Sequence, residues 1–303
     1  MREIEMIKEI QRLKKEKNAI ILAHNYQIPE IQEIADLVGD SLKLSKKAAE
    51  TDADIIVLSG VNFMAETAKI LSPNKKVLLP AHDAGCPMAD MIDTEKLKDF
   101  KEEHKDAVVV CYVNSSAEVK AESDICCTSS NAVKIIKSIE ADKILFVPDK
   151  NLGHYVSKQV PEKEIISYKG FCITHHRVQG REVDHIRSEY PDAEVLVHPE
   201  CSPDVVEKAD FIGSTSQIIS YAKESPSKVF IIGTEMGVLH KLQKDSPYKR
   251  FYLLSTGLIC NNMKKTRLVD IYNALAEEKY EITVNESTRL KALNALNKML
   301  EIS

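Results

Sequence analysis

The chain has 303 residues, 44% of them hydrophobic, enough to bury a substantial core, and its length alone suggests about two domains. Its 41 Lys and Arg against 46 Asp and Glu leave a formal charge of −5 with both signs spread along the chain, so no basic field exists to attract nucleic acid or an anionic membrane, and small molecules are the expected partners. No apolar run approaches the roughly 18 residues of a membrane span, and the amino-terminal "MREIEMIKEIQRLKKEKN" reads as a charged amphipathic helix rather than a signal peptide, which places the protein in the cytoplasm. Seven cysteines, an odd and scattered set, fit a reducing compartment with some metal or redox use better than a disulfide scaffold.

In chain order, the first helical pattern covers residues 3–16 and leads into residues 19–36, "AIILAHNYQIPEIQEIAD": an apolar run typical of a doubly buried strand, a polar turn, then a short helical pattern ending at an Asp. The same pattern returns without gaps at residues 107–124, "AVVVCYVNSSAEVKAESD", and at residues 193–210, "AEVLVHPECSPDVVEKAD", at offsets of 88 and 86. The register continues through "LVGDSLKLSKKAAETDADIIVLSG" and its two counterparts, so that Ser41, Ser129 and Thr215 coincide. Each repeat then adds a helix and a further strand, "KVLLP", "EIISY" or "RFYLL", and helical patterns at 94–104 and 181–190 precede the later repeats as 3–16 precedes the first. The short pieces "ADLVG", "SDICC" and "ADFIG" are candidates for a fourth strand.

Alternating strands and helices imply parallel sheets covered by helices on both sides. The fold expected is α/β, with three pseudo-symmetric α/β/α sandwich repeats, each with a small parallel sheet, around a central active site. The units are drawn at 1–90, 91–176 and 177–263, with a helical tail over 264–303 that packs against the amino-terminal helix. No Pro-, Gly- or Ser-rich linker separates them, so tight packing is expected.

A cysteine follows the last strand of each repeat. Cys86, Cys172 and Cys260 are 86 and 88 positions apart, nearly the repeat period. One such thiol is most simply a buried packing residue, but coincidence in three repeats points to a shared metal centre. A three-cysteine zinc site would recruit a fourth ligand, for which His175 or His176 is available. An iron–sulfur cubane is the stronger reading, because three thiolates on four irons leave one iron open as a Lewis acid. Cys111, Cys126, Cys127 and Cys201 lack the repetition and are read as packing residues.

Ligands in parallel α/β sheets collect at the carboxyl ends of strands. There the repeats carry His24, Tyr112 and His198, and two residues later Tyr26, Asn114 and Glu200. Glu200, between a proline and a cysteine after an apolar run, would be costly to bury unless paired or functional. Ser41, Ser129 and Thr215 each open a helical stretch, where a hydroxyl caps the helix and free N–H groups suit phosphate or carboxylate. "GVNFMAE" and "GTEMGVLH" contain no Gly-rich nucleotide fingerprint, and no P-loop is present.

These residues, together with "ILAHNYQIPEIQEIADLVGDSL", "GCPMAD", "CYVNSSAEVKAESDICCTSSNAV", "PDKNLGHYV", "VHPEC", "GSTSQI" and "CNNMKKT", resemble the quinolinate synthase family of de novo NAD biosynthesis over nearly the whole chain. The resemblance implies three α/β/α units about a pseudo-threefold axis and a 4Fe–4S cluster on Cys86, Cys172 and Cys260 with one open iron. It implies condensation of iminoaspartate with dihydroxyacetone phosphate to quinolinate, with loss of phosphate and two waters, and possible coupling to an iminoaspartate-producing enzyme. By motif it assigns Tyr26, Tyr112, His198 and Glu200 to catalysis. His24, Ser41, Asn114, Ser129, His175, Ser214 and Thr215 join Tyr112 and His198 in binding substrate, with Phe63 and Met263 as cavity walls. Longer members of the family carry a Cys-x-x-Cys-x-x-Cys run around the third ligand; Cys260-Asn-Asn-Met263 departs from it, so disulfide regulation does not carry over. Two rival readings are an aconitase-like hydro-lyase, which would not release phosphate, and an iron–sulfur sensor, whose cluster would ignore small molecules.

Overall fold

The computed structural model describes residues 2–303. Among the described residues, twelve strands form three separate four-stranded parallel sheets. The first holds β1 (Ala19–His24), β2 (Leu37–Gly39), β3 (Ile55–Ser59) and β4 (Lys76–Leu78) in the order β2-β1-β3-β4. The second, with β5 (Val108–Tyr112), β6 (Ile125–Cys127), β7 (Lys143–Val147) and β8 (Glu164–Ser167), has the order β6-β5-β7-β8. The third, with β9 (Glu194–Val197), β10 (Phe211–Ile212), β11 (Val229–Gly233) and β12 (Arg250–Leu253), has the order β10-β9-β11-β12. The short pieces read as candidate fourth strands are β2, β6 and β10, each on a sheet edge.

The repeat extends to register. Leu22 pairs with Leu37, Val110 with Ile125, and Leu196 with Phe211, the same two positions in every unit. The Asp that ends each repeated pattern has one job throughout. Asp36, Asp124 and Asp210 accept a hydrogen bond from the N–H of Ile21, Val109 and Val195, at 2.8, 2.8 and 2.7 Å, and their own N–H groups donate back to the carbonyls of those residues. This reciprocal clamp pins the crossover before the edge strand, and an Asp is the shortest carboxylate that reaches.

The units close on one another in a cycle. Glu66 of the first accepts from the Ala117 N–H of the second at 2.9 Å, Asn151 of the second donates to the Glu200 carbonyl of the third at 2.9 Å, and Gln32 of the first donates to the Gly237 carbonyl of the third at 2.9 Å. On the axis, one hydroxyl joins all three: Ser130 Oγ bonds Asp40 Oδ2 at 3.0 Å and Ser214 Oγ at 2.7 Å.

The tail divides. Helix Leu268–Glu277 packs through Ile271, Ala274 and Leu275 against Ile10 of helix Glu3–Glu16, as expected. Helix Glu286–Ile302 goes elsewhere: its buried Ala292, Ala295, Leu296 and Met299 cover β6 and helix Ala117–Ala121 of the second unit. Small alanines let it lie close on an edge that would otherwise be bare. Between the helices, Leu79 donates to the Tyr280 carbonyl at 3.1 Å and Ile282 to that of Val77 at 2.8 Å, covering the β4 edge of the first sheet. No helix among the described residues is long and apolar enough to cross a membrane.

Candidate active site

In each sheet the chain leaves the first strand outward and returns to the other side for the third, so the crevice between these strands opens at their carboxyl ends, where ligands bind in such folds. The three crevices meet in one cavity of about 410 Å³. Its wall includes Cys86, Cys172 and Cys260, and with them His24, Tyr26, Ser41, Tyr112, Asn114, Ser129, His175, His198, Glu200 and Thr215, as well as Phe63 and Met263. Ser214 is not on this wall: it is the N-cap of helix Thr215–Glu224, where its Oγ accepts from the Gln217 N–H at 3.3 Å.

The capping roles differ from those read in the sequence. Asp40, not Ser41, caps helix Ser41–Glu50 through the Lys43 N–H, and Ser214, not Thr215, caps the third-unit helix. Ser129 precedes its helix by a turn in which Asn131 Oδ1 accepts from the Thr128 N–H at 2.6 Å. For Ser41 and Thr215 the residue before the hydroxyl does the capping. Ser41 and Thr215 are thus left as first helical residues on the cavity wall, beside N–H groups of the first turn.

Two histidines are fixed by the same local turn. His24 Nδ1 accepts from the Tyr26 N–H at 3.2 Å, and His198 Nδ1 from the Glu200 N–H at 3.3 Å. An Nδ1 that accepts puts the proton of a neutral ring on Nε2. Burial holds both rings neutral, pushing His24 down to about 4 and His198 down to about 3 despite the neighbouring carboxylates. His198 Nε2 then donates to Ser129 Oγ at 3.1 Å.

Glu200 is the hub of a hydrogen-bond chain drawn from all three units. Thr215 Oγ1 donates to Tyr26 Oη at 2.9 Å, Tyr26 Oη meets Thr234 Oγ1 at 2.8 Å, and Thr234 Oγ1 meets His175 Nε2 at 2.9 Å. His175 Nδ1 lies 2.7 Å from Glu200 Oε2, and Tyr112 Oη donates to Glu200 Oε1 at 2.7 Å. Every member is satisfied when His175 donates from Nδ1 to Glu200. Burial of Glu200 works against its charge, but the hydrogen bonds donated by His175 and Tyr112 favour the carboxylate and hold it below the usual carboxylate range. Burial first, and then the Glu200 charge, push the Tyr26 and Tyr112 hydroxyls well up, so both are donors at neutral pH.

Donor chemistry admits a metal group. The three repeat-equivalent thiols are free and half-buried, and burial pushes Cys86 up to about 12 and Cys172 and Cys260 upward too, so each thiol would need a cation beside it to ionise. Cys172, His175 and Glu200 also bring donor atoms within 4.8 Å of one another, but the His175 to Glu200 bond already accounts for that grouping. Asn114 Oδ1 is buried on the cavity wall with no partner, an acceptor left for a ligand. Cys111, Cys126, Cys127 and Cys201 are buried away from the cavity wall, in the hydrophobic cores of the second and third units.

Thr234, Glu235, Lys264 and Asp149 were not singled out by sequence reasoning. Glu235 lies in "GTEMGVLH", and its repeat counterpart 86 positions earlier is Asp149; aligning the segments after the third strands would have found the pair.

The family profile described as "Quinolinate synthetase A protein" matches residues 8–301. The chain is 72% identical over 302 residues to "Quinolinate synthase" of Alkaliphilus metalliredigens, covering all of both chains. It is 60% identical over 302 residues to that of Clostridium kluyveri, again covering all of both, and 59% identical over 302 residues to that of Caldicellulosiruptor saccharolyticus, covering 99% of this chain and all of the relative. A three-unit α/β fold whose strand ends converge on one cysteine- and histidine-lined cavity, matched end to end by these relatives, belongs to the quinolinate synthetase A family.

Proposed function

We propose that this enzyme condenses iminoaspartate with dihydroxyacetone phosphate to quinolinate, releasing phosphate and two waters, as a cytoplasmic step of de novo NAD biosynthesis. The observation that carries the reading is the meeting of Cys86, Cys172 and Cys260 with the Glu200 hydrogen-bond chain in one cavity. In this reading the units at 1–90, 91–176 and 177–263 form the cavity walls, 264–303 is a packing tail, and the three cysteines hold a 4Fe–4S cluster. When bound, such a cluster supplies an open iron that polarises substrate oxygens as a Lewis acid.

The chain's own residues do the rest. Ser41 and Thr215, with the first-turn N–H groups of their helices, offer donors to phosphate and carboxylate, and Ser129, His24 and the unpartnered Asn114 complete the anchors. Glu200 serves as general base for carbon-bound protons. Both its oxygens are already engaged, by Tyr112 and His175, and a carboxylate held that low is a weak base. A substrate that displaces either donor raises its basicity at the moment it is needed. Tyr26 and His198, neighbours of the same centre, hold or return protons during enolisation and loss of hydroxyl.

The test is iron and sulfide analysis with EPR of the anaerobically prepared, reduced protein, with and without dihydroxyacetone phosphate, followed by assay of phosphate and quinolinate. About four irons, a ligand-perturbed signal and phosphate release are expected. A cluster blind to ligands would favour a sensor, turnover without phosphate a hydro-lyase, and zinc without sulfide would overturn the cluster. Because iminoaspartate hydrolyses readily, an enzyme that generates it is the expected functional partner.

A further inference from the structure

We propose that Asp149 and Glu235 are positioning residues for the second and third cysteines, and that Glu235 with Lys264 couples the third cysteine to Tyr26. The inference rests on the reading that Cys86, Cys172 and Cys260 hold a cluster. Asp149 and Glu235 are both fully buried and occupy the same place in their units, just after β7 and β11. Asp149 Oδ2 accepts from the Cys172 N–H at 3.0 Å, and Glu235 Oε1 accepts from the Cys260 N–H at 3.1 Å. The opposite oxygens are used as well: Asp149 Oδ1 accepts from Leu152 N–H at 2.7 Å and Glu235 Oε2 from Gly237 N–H at 2.7 Å.

These bonds are not needed to fold the cysteine loops. All three loops are already tied by a main-chain bond at equivalent positions: Asn62 N–H to Ala84 carbonyl at 2.8 Å, Lys150 to Gly170 at 2.8 Å, and Met236 to Leu258 at 2.9 Å. The first unit makes do with that bond alone, because its equivalent residue is Val61. The second and third units add a buried carboxylate, a costly group unless it is put to use. Its effect is to hold the cysteine's own N–H, which fixes the direction of the Cα–Cβ bond and keeps that N–H from turning toward sulfur. Hydrogen bonds to cluster sulfurs and nearby charge set both retention and potential.

Glu235 does more than Asp149. Lys264 Nζ pairs with its carboxylate at 2.9 Å and also donates to the Tyr26 carbonyl. The cysteine of the third unit and the tyrosine of the first are thereby held by one ion pair.

Glu235→Gln and Asp149→Asn keep size but leave one acceptor oxygen for two N–H donors. After anaerobic reconstitution, both variants should lose iron to a chelator roughly 10- to 100-fold faster than the parent chain. Both should show a midpoint potential moved upward, since the cysteine N–H freed from its carboxylate can turn toward sulfur. Glu66→Gln is the control, a half-buried carboxylate that bonds the Ala117 N–H and the Asn62 side chain and accepts from no cysteine N–H. Folding is checked by circular dichroism and melting of the same preparations. Folded variants that hold iron at the parent's rate and potential, or that change no more than E66Q, overturn the proposal. D149N, in a different unit, carries the test if E235Q does not fold. Failure of both to fold while E66Q folds would make them framework residues and also overturn it. A parent chain that takes up no iron and sulfide would instead sink the cluster reading itself.

Discussion

Removing the Tyr112 hydroxyl should shift the ionisation of its partner whereas removing that of Tyr26 should not, although both rings are buried, both hydroxyls are hydrogen-bonded, and both face one cavity. The difference is the partner. Tyr112 Oη donates to a buried carboxylate at 2.7 Å, whereas Tyr26 Oη bonds the neutral hydroxyls of Thr215 and Thr234. A hydrogen bond to a charged group contributes about 1.5–3 kcal/mol and a neutral one about 0.5–1.5 kcal/mol, so the one bond lost in Tyr112→Phe should cost about as much as the two lost in Tyr26→Phe, and only the first should depend on pH. The same energy appears in Glu200 as a rise of about one to two pKa units, at about 1.4 kcal/mol per unit. The sign follows. Glu200 is depressed in the folded state, so its stabilisation is present above its ordinary value of 4.5 and lost as pH falls toward the folded value. In Y112F the folded value is higher and that loss is complete at a higher pH, so the difference between variant and parent is constant near neutrality and shrinks only once pH falls to the variant's folded value. Denaturant unfolding of matched anaerobic preparations at pH 7 reads the cost, and the acid limb of the pH–rate profile reads the rise in Glu200. An acid limb that does not move upward in Y112F, or one that moves as far in Y26F, would refute the argument that Glu200 is ionised and held by Tyr112.

Thr234→Val breaks the chain between Tyr26 and His175 without touching the cavity wall, and should lower kcat with little change in KM; a KM effect alone would mean that Thr234 only shapes the pocket. His24 and His198 are depressed from 6.5 to about 4 and about 3, so the stability tied to their neutral form is full above pH 6.5 and lost as pH falls toward those values. Each adds up to about 1.4 kcal/mol per pH unit in that window, and His24→Asn, whose amide oxygen can still accept the Tyr26 N–H, should flatten the slope measured by unfolding between pH 7 and 5. Asp124→Ala removes the bond to the Val109 N–H and should cost about 1–3 kcal/mol, with Asp36→Ala and Asp210→Ala similar and nearly additive in denaturant midpoints. Cys86→Ser, Cys172→Ser and Cys260→Ser should each lower iron per chain sharply, whereas Cys127→Ser should leave it unchanged; equal iron in all four would break the assignment.

Local chemistry made much of this legible in one dimension. Strand–turn–helix periodicity with a fixed offset located the sheets, their edge strands and the three equivalent cysteines, because each unit repeats the same burial demand at the same register. Glu200 stood out because an acid after an apolar run must be compensated somewhere. The capping hydroxyls were misplaced by one residue: Ser and Thr adjoin equally good caps in Asp40 and Ser214, and only the backbone geometry says which side chain turns back on the helix.

The repeating α/β unit and the residues at its strand ends follow from the order of residues alone, since periodicity and strand polarity are local properties of the chain. Which of those ends share a hydrogen bond is set by how the units close on one another. The partners of Glu200 are 88 and 25 positions away, at Tyr112 and His175, and Lys264 reaches Tyr26 across 238. The last helix covers the second unit rather than the first. Such pairings come from closing three units on one axis, and no local preference of the residues encodes where that closure brings them.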